Sequence, residues 1–532
     1  MKRKAEKGNI LSFWRSRKLA MVVLAIAGMT FGTQHVCAQQ QSSNDSSNEN
    51  SVKSLLGPSL PVSSAERHRD REKELGLKIK GPFTIAAVGD ILEPDTVGDL
   101  ADPRYQSLIK IIRSADVGFA NMESSLVDLH HREEFQGPVA GTLAPKEVGA
   151  DIKAMGITMM NRANNHALDA EAPGMLATDE ILDEFGIVHA GSGRNLQSAR
   201  ASSYRGTPKG RVGMVGMFSI DSGVSDPDAD NIGEYGASYV YMAATERIGD
   251  LGGRPGVNPL RLTTYHMVTP EQMQALKGFR DSYYGSGGAP VTIERSAHEP
   301  ADQLKLFDEW YKIGSPSGIL TFGMNPSDEK GNLESIRNGK IHSDFMIATI
   351  HAHNSAQEVN GVRTVSDFMV KFAHECIDNG ADIFVTSGPH QLQGVEIYHG
   401  KPIFYGLAGF VFQTDLQLSY SSKGVLFAPG NVDLASQDRS IFGVRRRSSG
   451  ILATSHYEGG QLVEIRLYPV DLGGYKRPSS DMGIPMTPSP ELAHLILEEV
   501  QELSKPFGTK ISIENNVGVI HVGSSSVEQS KK

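Results

Sequence analysis

Cysteine is almost absent from this chain, with Cys37 and Cys376 alone among 532 residues. Cys37 falls in the N-terminal leader described below. The one remaining thiol excludes an intrachain disulfide framework, so stability must come from core packing or bound metal. Cys376, in "AHECIDNG", sits in a helical pattern and reads as a small buried hydrophobe rather than a nucleophile. Positive charge is also in deficit: 52 Lys and Arg stand against 62 Asp and Glu, a net charge of -10. The densest basic spot, "VRRRSS" at 444–449, is a short polar loop pattern. With no bulk positive field to attract phosphate backbones, the composition argues against nucleic acid as a partner. Gly-rich spacing of the nucleotide-binding P-loop type is missing, and so is any internal repeat.

Long apolar runs are lacking too, except for "LAMVVLAIAGMTFG" near the N-terminus. Basic "MKRKAEK" and "RSRK" precede it, and small residues flank a cleavage point near Ala38. This pattern predicts a signal peptide over 1–38 and export to the periplasm or beyond the cell. The run is short for a membrane-spanning helix; retention of an uncleaved signal as an anchor is the alternative. Residues 39–81 open with "QQQSSNDSSNENSVKS", a linker composition.

From residue 82 the chain alternates short apolar runs with helical patterns: "FTIAAVGD", "YQSLIKIIRSAD", "VGFANMESS", "KEVGADIKAMG", "ITMMNRANNH". Strands of four to eight residues alternating with longer helices imply an α/β sandwich. The alternation lapses over about 222–343, a Gly-, Asp- and Pro-rich stretch read as an insertion or lid. It resumes with "DFMIATIHAHNS" and "DIFVTSGPHQ" and closes near 440, leaving 441–532 as a C-terminal extension packed on the core.

In α/β folds, ligands gather at the carboxyl ends of strands. At those ends this chain places Asp90, Asn121 and Glu123, Asn165 and His166, His351 and His353, and His390. Carboxylates, a carboxamide oxygen and imidazoles are the donors that Mn, Fe, Zn or Mg accept. A bridging carboxylate could hold two such ions, which together activate a water and clamp the oxygens of a phosphoryl or acyl group. Each motif alone has an ordinary reading: "GD" is a common turn, "NNH" suits a helix cap, and His390 suits a loop. The joint pattern carries the inference. In "GRPGVNPLR", Arg254 and Arg261 could line a mouth for an anionic substrate, although a Gly/Pro-rich surface loop explains them more simply. "HHREE" at 130–134 lies in a polar stretch and reads as solvated.

Gly89-Asp90, Asn121-Met122-Glu123, Ala163-Asn164-Asn165-His166 with Asp169, His351-Ala352-His353, Gly388-Pro389-His390 and "LQGVEIYHGKPIFYGLAGF" occur in one order. In that order and spacing the chain resembles the CapA-type capsule synthesis (poly-γ-glutamate synthesis) proteins. The resemblance implies a calcineurin-like metallophosphoesterase fold, a four-layer α/β sandwich. It implies one or two divalent ions held by Asp90, Glu123, Asn165, His351 and His390. His166 would be the general acid, with Asn164 at the substrate. An exported role on an anionic polymer such as poly-γ-glutamate, beside a membrane synthase complex, also follows from it. Such a protein would be a hydrolase or a non-catalytic polymer-binding component; a generic exported metallophosphoesterase is the third reading. The chain departs from the family where it has His351-Ala352-His353 in place of His-Trp-Gly, and where Ser387-Gly388-Pro389-His390 stands in place of His-x-Pro-His or His-Pro-His, one imidazole short. Either His353 supplies the missing ligand or one metal position is weakened.

Overall fold

Side chains along β1 (Phe83–Leu92) divide between two cores. Phe83, Ile85 and Ala87 enter one cluster and Ala86 and Val88 another, as the two-residue period of a strand requires, and Ile91 joins the second cluster beyond the register shift between Ala87 and Asp90. A strand covered on both faces reads as a continuous apolar run, which is why "FTIAAVG" shows no alternation. The computed structural model describes residues 75–98, 100–128, 142–221, 254–285, 300–307, 309–359, 362–413, 419–421, 424–426, 448–473 and 482–522. The leader, most of the linker, "HHREE", the start of "VRRRSS" and parts of the 222–343 stretch lie outside the described residues.

Beyond β1 the main strands are β2 (Val117–Met122), β3 (Met159–Asn161), β4 (Val188–Ala190), β5 (Gly210–Asp221), β6 (Pro259–Val268), β7 (Phe345–His351), β8 (Ile383–Ser387), β9 (Lys401–Phe404), β10 (Gly409–Phe412), β11 (Ser449–Glu458), β12 (Gln461–Asp471), β13 (Ser512–Glu514) and β14 (Val517–His521). One sheet runs β13-β14-β12-β11-β1-β2-β3-β4, with β10 added alongside β1. The other has β6-β5-β7-β8-β9 at its centre. Neighbours from β1 to β4, and from β6 to β9, are parallel.

The sheets face each other across a core that mixes Phe83, Ile85 and Phe119 with Met214, Phe345, Ile347 and Val385. Outside the first sheet lie α1 (Pro103–Ser114), α2 (Val148–Met155) and α3 (Glu171–Glu184). Outside the second lie α4 (Pro326–Ile341) and α5 (Asp367–Asp378). Helix, sheet, sheet, helix is the four-layer sandwich. Helix α1 shows the local logic: the Asp102 side chain caps Arg104 N, Pro103 opens the first turn, and Tyr105, Leu108, Ile109 and Ile112 form the buried stripe. In α5 the same spacing buries Phe368, Met369, Phe372 and Cys376; burial pushes the Cys376 thiol well up.

Two stretches differ from expectation. Strand β6 falls inside the region read as an insertion, yet Pro259–Leu262 pair in parallel with Phe218–Asp221 of the central sheet. Its "PLRLTTYHMV" is only half-buried along most of its length, so the sequence lacks the apolar run that marks its neighbours. The C-terminal stretch is part of the first sheet itself, since β11 pairs antiparallel with Phe83–Ala87. The helix α6 (Pro490–Ser504) sends Ile496, Leu497 and Val500 into the central core.

Beside β1 the hydrogen-bonding partner changes midway. Phe83–Ala87 pair with β11, whereas Asp90–Leu92 pair with β10, and the β1–β2 register shifts between Ala87 and Asp90. Such irregularities re-aim a side chain. At this crossing a Cβ on Gly89 would stand 1.6 Å from the Ala408 carbonyl oxygen, which accepts the Asp90 N–H at 3.0 Å. Gly89→Ala is therefore expected to destabilise the fold by on the order of 3 kcal/mol, because backbone rather than a flexible side chain must move. Chemical denaturation would show the loss as a lower midpoint.

The entering chain is pinned at the opposite end of the strands. Lys340, buried, donates to Leu77 O at 2.6 Å, Asp344 O at 3.1 Å and Asp382 Oδ2 at 2.8 Å. Lys80 N reaches Lys209 O. Asp344, Asp382 and Lys209 each immediately precede β7, β8 and β5.

Candidate metal centre

Parallel register brings polar strand ends to one level. Asp90 lies opposite Asn121, and Asn121 opposite Asn161; in the other sheet His351 lies opposite both Ser387 and Phe218. The two rows meet between the sheets, where Asn121 Nδ2 lies 2.8 Å from Asp90 Oδ1 and 3.1 Å from His351 Nδ1. Asn161 Nδ2 donates to Asn121 Oδ1 at 2.9 Å and so orients that amide.

Glu123, one residue beyond β2, is wholly buried, and among the described residues neither carboxylate oxygen meets a hydrogen-bond donor. Around its Oε1 stand His351 Nε2 at 3.6 Å, His390 Nε2 at 3.6 Å and His166 Nε2 at 4.0 Å. On the far side of each ring, Nδ1 is engaged. His390 Nδ1 lies 3.0 Å from Asp90 Oδ2, His166 Nδ1 lies 2.8 Å from Asp169 Oδ2, and His351 Nδ1 lies 3.1 Å from Ser387 Oγ. At His390, a proton on Nδ1 toward Asp90 leaves the Nε2 lone pair facing Glu123, the arrangement found around metal ligands. Two ligands held about 2.1 Å from one tetrahedral ion lie roughly 3.4 Å apart, close to these spacings. Two groups of donor atoms, Glu123/His351/His353 and Asp90/Glu123/His390, each lie within 4.8 Å of one another. An orphaned buried carboxylate ringed by inward imidazoles fits a divalent cation.

Electrostatics agree with the geometry. Burial, then the neighbouring charges of Asp90 and Asp169, pushes the Glu123 carboxyl well above its ordinary range. Burial also opposes ionisation of Asp90, but hydrogen bonds from His351 and His390 outweigh it and hold that carboxyl below the usual carboxylate range. Burial holds His351 and His353 down, the second aided by the other imidazoles; both are thereby neutral rings suited to ligation.

The "NRANNH" loop is built for position. Burial disfavours the His166 imidazolium, yet the Asp169 carboxylate more than compensates and raises its pKa. Asp169 Oδ2 is itself fixed by the Thr142 N–H at 2.6 Å. Asn164 is buried, donates to Met122 O at 2.6 Å and accepts from His166 N at 3.1 Å. Its amide ties the His166 loop to the end of β2. Asn165 keeps a buried Oδ1 without a donor, as a carboxamide ligand would. Arg162, fully buried, ties the same loop to β2 through Met122 O at 3.1 Å.

Arg261 is engaged in an ion pair. Its Nε and Nη2 grip the buried Asp328 at 2.6 and 2.9 Å, and Arg200 shares that carboxylate at 3.2 Å. Arg254 is half-buried on the segment leading to Gly256–Val257, which pairs with Ser192–Gly193. His353 reaches the cluster from a short 3-10 turn rather than from a strand face shared with His351, and its Nε2 lies 3.3 Å from His351 Nε2. Sequence reasoning missed Asn161, Ser387 and Arg162; the polar terminal residues of "MMN" and "FVTS" were the available signal for the first two.

Comparison with known proteins places this geometry. The family model described as bacterial capsule synthesis protein PGA_cap matches residues 84–414. The chain is 34% identical over 463 residues to the uncharacterized protein y4sH of Sinorhizobium fredii, covering 83% of this chain and 93% of that one. It is 22% identical over 353 residues to the capsule biosynthesis protein CapA of Bacillus anthracis, 65% and 61% of the two lengths. A 92-residue segment is 35% identical to the PGA biosynthesis protein CapA of Bacillus subtilis, covering 17% and 23%. The matched span begins one residue into β1 and runs past β10, enclosing every ligand-type residue of the cluster, and the chain belongs to the bacterial capsule synthesis protein family PGA_cap.

Proposed function

We propose that this chain is an exported, metal-dependent hydrolase that acts on an anionic polymer of the poly-γ-glutamate kind or on a phosphoester during capsule assembly. The supporting observation is the paired use of His166: Nδ1 held by Asp169 at 2.8 Å while Nε2 faces Glu123 at 4.0 Å. Asp90, Glu123, Asn165, His351 and His390 would hold one or two divalent ions. Such ions lower the pKa of water and polarise a phosphoryl or acyl oxygen.

The chain's own residues supply the rest. Asp169 keeps His166 oriented and protonated, so that Nε2–H can pass a proton to a departing alkoxide or amine. Asn164 and Arg162 fix the loop that sets this distance. The matched family and the name of the Bacillus subtilis relative support the polymer. The basic-then-apolar leader supports export.

Metal analysis of the purified full-length protein, followed by assay of phosphoester and γ-glutamyl substrates, tests the reading. One or two bound ions are expected, with hydrolysis that disappears on chelation and in Asp90→Ala. Absence of both bound metal and hydrolysis would leave a component that binds polymer without cleaving it.

A further inference from the structure

We propose that a sheet face carrying Tyr265, Trp310, Lys305 and Lys312, which extends the second sheet past its imidazoles, binds an acidic polymer lengthwise. The inference rests on the polymer reading above and not on hydrolysis. It places a binding track outside the metal centre, for a chain in which carboxylates alternate with flat amides and methylene units.

Strand β6 outruns its neighbour. Pro259 lies opposite Phe218, which lies opposite His351, and the pairing ends at Leu262 with Asp221, the last residue of β5. The strand continues to Val268 and takes new partners: Glu309–Ile313 in parallel, with Gln303–Leu306 beyond it, and Leu320–Met324 antiparallel. Tyr265 thus stands about 20 Å along the sheet from the level of His351, at the rise of a strand. Alternation sets its face. Leu260 and Leu262 enter the core beneath α4 and α5 with Met217 and Ile350. Thr263, Tyr265 and Met267 therefore lie on the opposite face, the one that carries Phe218 and His351.

Among the described residues, the extension buries its apolar side chains on the other side, where Val268, Leu304 and Leu306 pack with Met273 of the helix Pro270–Gly285. On the face of Tyr265, none of Thr263, Met267, Trp310 and Lys312 is buried, nor is Tyr265 itself. Tyr265 and Trp310 pair across strands with ring centroids 6.0 Å apart. A Cβ on Gly323 would stand 3.0 Å from the Tyr265 ring, so the ring lies close along that glycine. Lys312 Nζ is 5.5 Å from the centroid of the same ring, and Lys305 is directly across from Trp310. Glu309 is turned to the other face, against His266, and Asp302 stands near the Tyr265 phenol. In a chain of net charge -10, two lysines beside two rings make a local positive, stacking surface. The rings accept amide planes and methylenes, and the lysines accept carboxylates. Rings alone would suit a neutral glycan; the lysines select an acid.

Trp14 in the leader and Trp310 are the two tryptophans of the chain, so in full-length Trp14→Phe protein the emission reports on this face. Poly-γ-glutamate, titrated with chelator present to prevent cleavage, is expected to change that emission, with an affinity that falls as salt rises. Anisotropy of labelled polymer then compares variants whose folding is checked by circular dichroism. Trp310→Ala should weaken binding by about 30-fold, as loss of an aromatic anchor does. Lys305→Gln combined with Lys312→Gln, two surface changes, should weaken it by about 10-fold, and Trp310→Phe should stay near wild type. Wild-type affinity in the folded Trp310→Ala or double-lysine variant would overturn the proposal. Equal, salt-insensitive binding of neutral dextran would overturn it too, in favour of a glycan. Failure of wild type to bind the polymer would overturn both this inference and the polymer as substrate. Trp310-dependent binding by a protein that hydrolyses nothing would uphold the face and remove only the hydrolase.

Discussion

Glu123→Gln is expected to stabilise the metal-free protein while abolishing tight metal binding. In the wild type a carboxyl group is wholly buried and, among the described residues, without a donor to either oxygen, and burial followed by the charges of Asp90 and Asp169 pushes its pKa well above 4.5. The sign of the pH dependence follows. Above 4.5 the unfolded chain has released this proton while the folded chain retains it, so stability falls as pH rises toward the folded value. Glutamine does not ionise and removes that slope. In excess chelator, the variant should therefore exceed wild type by about 1–3 kcal/mol, with the gap larger at pH 8 than at pH 5, as read from thermal midpoints. With metal the order reverses, because ligation stabilises only the wild type. Equal midpoints in chelator at both pH values would contradict the burial argument.

Replacing His166 is expected to separate rate from metal content. His166→Ala should lower the hydrolytic rate by about 10²- to 10⁴-fold, the usual worth of a positioned acid, with bound metal unchanged by elemental analysis. Asp169→Asn makes the assignment specific. The Asp169 carboxylate raises the His166 pKa against the opposing effect of burial, and a general acid works only while protonated. Removing the carboxylate must lower that pKa, so the alkaline limb of the pH–rate profile should move toward lower pH. A limb that stays in place would assign the proton to another group.

Much of this centre could be read before folding because each strand ends in a residue unlike those preceding it. Asp90, within β1, follows "FTIAAVG" and His351 follows "FMIATI" directly, His390 stands three residues past β8, and parallel strands bring these positions together. Asn161 and Ser387 escaped because Asn and Ser at a strand end look like ordinary turn formers; only register puts them opposite Asn121 and His351. The backbone partners of Asn164 were not legible, because an amide beside an imidazole reads alike whether it faces substrate or backbone. The ion pair of Arg261 was not legible because its partner Asp328 lies 67 residues further on. Strand β6 was hidden by its half-exposed, mixed composition.

The attachment around Lys340 has a mechanical consequence. Leu77 and Lys80 are fastened beside Asp344, Asp382 and Lys209, residues that open their strands, whereas the imidazoles stand where strands finish. A pull on Leu77 and Lys80 is thus borne by Lys340 and the amino ends of the central sheet, at the other ends of the strands from the imidazoles.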